Sequence, residues 1–386
     1  GRAAMAAPSD ELRVALVRRA LRAQGAAVKA CWVAAEGSPP LAVPPPPPPL
    51  EASSRWTPDR IRVAMASIPA ATAYPDLVRR AGDVLEKWYY RFPLNVWSRF
   101  VKFADSGTGR HKQLPKVVKE FNESAPILAR LMEWTDQAER AGVPRCDIVD
   151  LCSGFGFLAM FASELLPAER VQNIYLVDRV WPNRNVPGSK GGGITTAHIY
   201  DHGEWPIPLL TLQVDVKKSR EMRDLAKHIV RDPRPTIICG VHLCGTLSLR
   251  AIQLFNDGLS SGCGVTGLIF APCCLPRKQH RDRKFVYEVG AHRFTAQELH
   301  DHKAKNGLNA YEVYQEHLLL CIDAPEKARE EMGALGGDDY ERHKDQRNKD
   351  KNVFFFARAP YRHDGSTAGL GVDFGKPVVI DGLRLN

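Results

Sequence analysis

Two short motifs in the second half of the chain combine residue types that do chemistry in proteins. The first reads Val-His-Leu-Cys-Gly and contains His242 and Cys244, and the second reads Ala-Pro-Cys-Cys and contains Cys273 and Cys274. An imidazole exchanges protons near neutral pH, and a cysteine thiolate is a nucleophile. These side chains therefore suit general base or covalent catalysis.

The elements that carry both motifs are predicted strands of a parallel sheet. Residues 236–245 read as a buried strand with its following turn, and residues 267–276 repeat the pattern. From Cys146 onward, short apolar strands alternate with helical stretches, which is typical of a doubly wound α/β sheet. Because ligands bind at the carboxyl ends of such strands, we expect the histidine and the cysteines to gather there.

An earlier strand, within residues 147–158, turns through Gly154 and Gly156 into a helical run. Glycine has no Cβ, so a backbone of this kind can approach a ligand closely. Asp150 precedes the turn, where a carboxylate would repel a pyrophosphate but suits a ligand with an ammonium and a sulfonium. This arrangement favours S-adenosylmethionine over a dinucleotide as the cofactor.

Two later apolar strands end in acids that extend the predicted cofactor site. Asp178 ends the strand 174–178, where a carboxylate in a doubly wound sheet accepts the ribose hydroxyls. Asp215 ends the run 210–215, from which it could reach an adenine amino group.

The motifs Asp-Leu-Cys-Ser-Gly-Phe-Gly, Val-His-Leu-Cys-Gly and Ala-Pro-Cys-Cys together resemble the class I methyltransferase-like family that includes the tRNA 2′-O-methyltransferases of the acceptor stem. The resemblance spans roughly residues 146–360 and implies a Rossmann-like, doubly wound sheet with the His and Cys motifs on the substrate side. It places the cofactor on the glycine turn and the neighbouring acids. The expected cofactor-binding set is Asp150, Cys152, Gly154, Gly156, Asp178 and Asp215.

Two features depart from that family. Cys152 stands where methyltransferases usually have the first glycine of the turn, which predicts a reshaped turn or weaker cofactor binding. The tRNA enzymes also carry zinc-binding Cys/His modules ahead of the catalytic domain, whereas Cys31 is the only cysteine here before Cys146.

Four interpretations of the histidine and cysteine motifs compete. We favour His242 as a general base that takes a proton from a hydroxyl or amine acceptor. Alternatively, Cys273 or Cys274 adds covalently to a pyrimidine ring. A zinc site would need Cys239, His242, Cys244 and the cysteine pair, but the chain has no C-x-x-C pair there, so we expect no metal. In the fourth interpretation, the cysteines are small buried hydrophobes.

The distribution of charge points to an anionic partner. The chain carries a formal charge of +9, and residues 61–120 hold eleven Lys and Arg against five Asp and Glu. Aromatic residues alternate with these cations in the segments 88–92 and 97–103, a mixture suited to phosphates and stacked bases or to a helical core. After the cysteine pair, residues 277–284 form a basic cluster in which Arg277, Lys278 and Arg281 are the candidate substrate-binding residues.

Composition divides the chain into four regions. The predicted regions are an N-terminal tail, 1–55, with a polyproline spacer, a basic helical domain, 56–145, a methyltransferase-like domain, 146–360, and a C-terminal tail, 361–386. The charged run 326–351 reads as a solvated helix or loop before a last strand at 352–358.

The nine cysteines lack the spacing of a secreted disulfide framework, and no apolar run is long enough to span a bilayer. The Ala- and Arg-rich segment 1–30 resembles an organellar transit peptide. We therefore expect a mitochondrial or other organellar location, or else a cytoplasmic one, and neither secretion nor a membrane span.

Together these patterns predict an S-adenosylmethionine-dependent methyltransferase that acts on rRNA or tRNA. The alternative is a catalytically silent, RNA-binding structural subunit or assembly factor of a large organellar ribonucleoprotein, such as a mitochondrial ribosome.

Overall fold

The computed structural model describes residues 56–102, 114–143, 145–182, 194–231, 234–260, 264–277, 280, 283–301, 310–331 and 353–359. The helices are α1 (Pro58–Ala66), α2 (Ala70–Ala73), α3 (Pro75–Arg91), α4 (Leu94–Phe100), α5 (Lys116–Arg140), α6 (Phe157–Leu165), α7 (Ala197–Tyr200), α8 (Ser219–Arg231), α9 (Thr246–Ser260), α10 (Ala296–Asp301) and α11 (Ala310–Cys321). The strands are β1 (Cys146–Leu151), β2 (Val171–Asp178), β3 (Leu209–Gln213), β4 (Thr236–Gly240), β5 (Val265–Phe270), β6 (Val286–Val289), β7 (His292–Thr295), β8 (Glu326–Glu331) and β9 (Val353–Arg358).

The main sheet of the described residues has the order β3-β2-β1-β4-β5-β9-β8. The first five strands in this order pair in parallel, and β9 runs antiparallel to both β5 and β8. The strand order reverses between β1 and β4, so the carboxyl ends of these two strands flank the crevice in which doubly wound folds bind ligands. The expected class I methyltransferase-like, doubly wound sheet is confirmed.

Helices cover both faces of the sheet because successive side chains of a strand point to opposite sides. Ile148 of β1 belongs to a core cluster that it shares with α3, α5 and α6, whereas Val149 belongs to a second cluster with α8, α9 and α11. Strands buried on both faces read as continuous apolar runs, which is why β1 and β4 stood out in the sequence.

The region 56–145, predicted to be helical, contains the helices α1 to α5. The base-stacking interpretation of the aromatic residues in this region is wrong for Trp88, Phe92, Trp97 and Phe100, each at most 2 % exposed. These rings contact one another and the sheet layer, and so they form core rather than a surface for bases.

The segment 326–351 was expected to be a solvated helix or loop, and this prediction is wrong for its first residues. Glu326–Glu331 form the edge strand β8, paired along its length with β9. Its sequence, Glu-Lys-Ala-Arg-Glu-Glu, looks like solvent-exposed helix because an edge strand carries charges that discourage further pairing.

Several predicted regions lie outside the described residues: the tail 1–55 with its polyproline spacer, most of the charged run after residue 331, and the tail 361–386. Among the helices that the structure describes, none is both long and apolar enough to cross a membrane.

Candidate functional site

The turn after β1 has the backbone of a glycine-rich loop. Gly154 and Gly156 have φ of +55° and +88°, and Cys152 adopts the same left-handed region at +58°. Cys152, which stands where the resembling family has its first glycine, thus has the same left-handed backbone as the two glycines that follow it. A Cβ built on Gly154 would meet nothing nearer than the carbonyl oxygen of Cys152, at 4.0 Å, so the turn leaves open space above this residue.

Asp178, at the end of β2, holds the glycine turn in place. Its Oδ2 accepts a hydrogen bond from the backbone N–H of Gly154 at 2.9 Å, and its Oδ1 accepts one from Val180 at 3.1 Å. Each carboxylate oxygen keeps further acceptor capacity, because an ionised carboxylate offers about four lone-pair positions. The position fits the predicted role towards ribose hydroxyls.

Two aromatic side chains brace the same turn from the segment after β2. The indole N–H of Trp181 donates to Ser153 Oγ at 3.0 Å, and His198 Nε2 donates to the carbonyl oxygen of Phe155 at 2.9 Å. The ring of His198 also stacks on that of Phe155, with centroids 4.0 Å apart. Burial lowers the pKa of His198 to about 4, so this imidazole is neutral at physiological pH.

Asp150 lies beneath the turn rather than at its surface. The residue is 2 % exposed, and its carboxyl accepts a hydrogen bond from the backbone N–H of Ala159. Its Oδ2 is buried and has no hydrogen-bond partner among the residues that the structure describes. Burial, and secondly the charge of Asp178, raise the pKa of Asp150 well above its usual value.

Asp215 follows the end of β3 by two residues and has a local structural role. Its Oδ1 accepts a hydrogen bond from the backbone N–H of Lys217 at 3.0 Å, and its own N–H donates to Glu221 Oε2 at 2.6 Å. These bonds form the entry to α8. The predicted contact with adenine would use the remaining acceptor capacity of the carboxylate.

His242 follows the end of β4 by two residues and has a backbone φ of +60°. Its side chain points towards α5. Its Nε2 donates to Glu123 Oε2 at 2.9 Å, and Glu120 lies within the same group of ligand-type side chains. Burial alone would lower the pKa of His242, but the hydrogen bond and charge of Glu123 outweigh it and raise this pKa. Burial and the charge of Glu123 raise the pKa of Glu120.

Three of the motif cysteines meet beside this histidine. Cys274 Sγ lies 3.5 Å from Cys273 Sγ and 3.6 Å from Cys244 Sγ. Hydrogen bonding from Cys273 lowers the pKa of Cys244, and the charge of His242 contributes to this shift. Cys239 does not join the group, because it is buried within β4.

Of the candidate substrate-binding residues, Arg277 is exposed at the rim, whereas Lys278 and Arg281 lie outside the described residues. Cations also approach the glycine turn from the helical segment. Lys116 Nζ lies 5.3 Å from the ring centroid of Phe155, and the guanidinium of Arg99 lies 5.2 Å from it.

The sequence motifs did not reveal the residues that support the site from elsewhere. Glu123 lies on a helix whose polar positions look like an ordinary solvated face, and it is 119 residues from His242. His198 stands in a short helix without a motif. Both residues can be recognised as part of the site only from their positions in the folded structure.

Comparisons with known proteins give low similarities. No family model matches the chain, and no curated protein matches it. Among solved structures, a DUF574 family protein from Streptomyces avermitilis is 12 % identical, with 69 % of this chain and 96 % of that chain covered and a TM-score of 0.29. A cyclopropane-fatty-acyl-phospholipid synthase-like protein from Lactobacillus casei is 10 % identical, with 66 % and 95 % covered and a TM-score of 0.30.

A possible exported protein from Bordetella parapertussis is 12 % identical, with 81 % of this chain and 100 % of that chain covered and a TM-score of 0.29. At these TM-scores, the fold assignment rests on the strand order of the chain itself: a parallel sheet that reverses between β1 and β4 and ends in the antiparallel strand β9.

Proposed function

We propose that the protein is an S-adenosylmethionine-dependent methyltransferase whose acceptor is a hydroxyl or amine of RNA. The observation that carries the proposal is the pre-formed turn after β1, with left-handed backbone at Cys152, Gly154 and Gly156, beside the point where the strand order reverses. Doubly wound folds bind their cofactors at this point.

The residues around the turn fit the chemistry of this cofactor. The open space above Gly154 admits a ligand against bare backbone, and Asp178 offers acceptors for the hydroxyls of a ribose. Asp150 lies buried beneath the turn, where its carboxyl accepts a hydrogen bond from the backbone N–H of Ala159 and so supports the loop from below. When bound, S-adenosylmethionine supplies a methyl group made electrophilic by its sulfonium.

We assign His242 the role of proton acceptor. In the neutral tautomer that donates from Nε2 to Glu123, the lone pair of the ring lies on Nδ1, which can take the proton of an acceptor hydroxyl or amine. Glu123 fixes this tautomer and stabilises the imidazolium that forms, as the acid of a catalytic triad does. Glu123 is thus a positioning residue.

The choice of RNA as acceptor is supported by charge. Lys116 lies beside the glycine turn, and Lys119 lies beside Glu123. Arg277 is exposed after the cysteine loop, and residues 277–284 contain six Lys, Arg and His. A basic rim attracts phosphates and makes binding fall as salt rises. A tRNA or an rRNA would satisfy this requirement equally.

Calorimetric titration of the full chain with S-adenosylmethionine tests the cofactor assignment. We expect binding by the wild type and about ten- to a hundredfold weaker binding by Asp178→Asn, because a hydrogen bond to a charged group contributes about 1.5–3 kcal/mol. Asp76→Asn, which changes an exposed acid in the first turn of α3, is the matched control and should bind as the wild type does. Absence of heat from the wild type at millimolar cofactor would overturn the proposal.

Transfer of a labelled methyl group to total RNA or to total protein then identifies the acceptor class. We expect label in RNA and its loss in His242→Ala, with cofactor affinity retained. Label in protein would replace RNA as the acceptor. Salt-sensitive RNA binding without any cofactor binding would instead favour the silent RNA-binding subunit.

A further inference from the structure

The three cysteines at the ends of β4 and β5 form a group that the methyl-transfer scheme does not use. The Sγ atoms of Cys244, Cys273 and Cys274 all lie within 4.8 Å of one another, with two separations of 3.5 and 3.6 Å. These separations far exceed the ~2.05 Å of a disulfide bond. The three sulfurs therefore stand as separate donors around a common centre.

The spacing matches that of thiolates that share one tetrahedral ion. At a zinc–sulfur distance of ~2.3 Å, tetrahedral geometry separates two sulfur ligands by about 3.8 Å, close to both observed values. We propose that Cys244, Cys273 and Cys274 bind one zinc ion through three thiolates, with the fourth coordination position open. Zinc is the soft-to-borderline divalent ion that such all-sulfur donor sets select.

Exposure distinguishes this proposal from a packing role. Cys244 and Cys274 are exposed and Cys273 is half-buried. Cysteines that serve as small hydrophobes are among the most buried residues of proteins, as Cys239 and Cys321 are here. A covalent mechanism needs one nucleophilic thiolate, which gives no reason for three sulfurs to converge.

The two loops that carry the thiols are fastened to each other, so the donor positions are fixed before any ion arrives. The backbone N–H of Gly245 donates to the carbonyl oxygen of Cys274 at 3.0 Å, and that of Leu243 donates to Ala271 at 3.1 Å. The hydroxyl of Tyr314, on α11, donates to the carbonyl oxygen of Gly245 at 2.7 Å. A rigid set of ligands loses little conformational entropy on binding.

The open fourth coordination position determines what the proposed zinc site can bind. Structural zinc sites are closed by four protein ligands, whereas sites with three protein ligands keep a position for water or another incoming ligand. Because two of the three cysteines are exposed, this position is accessible from solvent. The inference does not depend on the cofactor assignment, since a metal site here would exist with or without methyl transfer.

Metal analysis of the full chain, purified anaerobically with a phosphine reductant and without chelators, tests the proposal. We expect about one zinc per chain. After exchange with cobalt, a thiolate-to-cobalt charge-transfer band and the intense visible bands of tetrahedral cobalt should appear. The triple variant Cys244→Ser/Cys273→Ser/Cys274→Ser should bind no zinc and show no such bands, whereas Cys321→Ala should retain both.

Alkylation of the wild type tests the same site without any substitution. Bound zinc should protect Cys244, Cys273 and Cys274 from modification, as mapped by mass spectrometry, and removal of zinc should expose them. Circular dichroism establishes that the triple variant is folded. The proposal fails if the wild type, offered zinc and cobalt, holds neither, if the triple variant holds as much as the wild type, or if zinc leaves the alkylation of these cysteines unchanged.

Discussion

At the scale of single residues, Cys152 sets the glycine turn after β1 apart. Its φ of +58° lies in the left-handed region, which costs a residue with a Cβ roughly 1 kcal/mol more than it costs glycine. The side chain nevertheless packs against the core cluster on the sheet face covered by α8, α9 and α11. The apolar contacts of the thiol thus offset the strain of the left-handed backbone at this residue.

A pair of substitutions at this position separates the two effects. Cys152→Ala removes the thiol and keeps the Cβ, whereas Cys152→Gly removes both. If left-handed strain is present, the glycine variant should be about as stable as the alanine variant or up to ~1 kcal/mol more stable, against the usual cost of glycine. Urea unfolding of both variants measures this difference. A glycine variant that is less stable by ~1 kcal/mol would show that the backbone is not strained.

At the scale of elements, α7 acts as a brace for the glycine turn. His198 of this helix supports the turn through its hydrogen bond to the carbonyl oxygen of Phe155 and by stacking on the Phe155 ring. Arg99 and His202 contribute charges that lower the pKa of His198 further, after burial. Protonation of this imidazole would place a charge inside the apolar layer, so the brace is expected to loosen in acid.

The pH dependence of stability tests this brace. The folded pKa of about 4 lies below the usual 6.5, so the unfolded chain binds the extra proton between these values and stability falls as pH drops through them. From pH 7.5 to 5, His198 should remove about 2 kcal/mol from the free energy of unfolding. Urea unfolding at both pH values should show a smaller loss in His198→Gln than in the wild type. Equal losses in the wild type and in His198→Gln would contradict the role of His198.

Elements differ in how far the sequence predicts them. The strands β1, β4 and β5 are predictable because burial on both faces makes them continuous apolar runs, and the motifs at their ends follow from the parallel sheet. The edge strand β8 is not predictable, because its many charged residues leave no alternation of apolar and polar residues to recognise. The sequence places His242 in the site but not Glu123, since their contact depends on how α5 packs across the ends of the strands.

The cysteines show the same limit. Their position at the carboxyl ends of β4 and β5 follows from the pattern, but the meeting of three sulfurs depends on how two loops cross. The missing C-x-x-C pair argued against a metal, yet donors from separate loops need no local spacing. Sequence spacing reports ligand sets only when the chain supplies them locally.

At the scale of the whole molecule, the helical segment before β1 is built into the sheet. Trp88 of α3 is fully buried, and its ring centroid lies 4.8 Å from that of Phe161 on α6. Trp134 of α5 covers Gly267 of β5, where a Cβ would come within 2.5 Å of the indole ring. The helix that supplies Glu123 to the site is thus held by direct contact with the sheet.

Two glycine-to-alanine changes test this interlocking. Gly267→Ala places a methyl group against the rigid indole of Trp134 and the Ile237 side chain, 3.3 Å away, so the helix must shift and stability should fall by about 1–3 kcal/mol. Gly82→Ala lies inside α3 with only an arginine Nη1 atom at 3.8 Å, so it should stabilise the protein by about 0.5–1 kcal/mol. Thermal and urea unfolding measure both changes in stability. Equal stability of the two variants would mean that α5 does not press on β5.

The same pair of variants should differ in activity. Because the shift of α5 would also move Glu123 relative to His242, methyl transfer should fall in Gly267→Ala and not in Gly82→Ala.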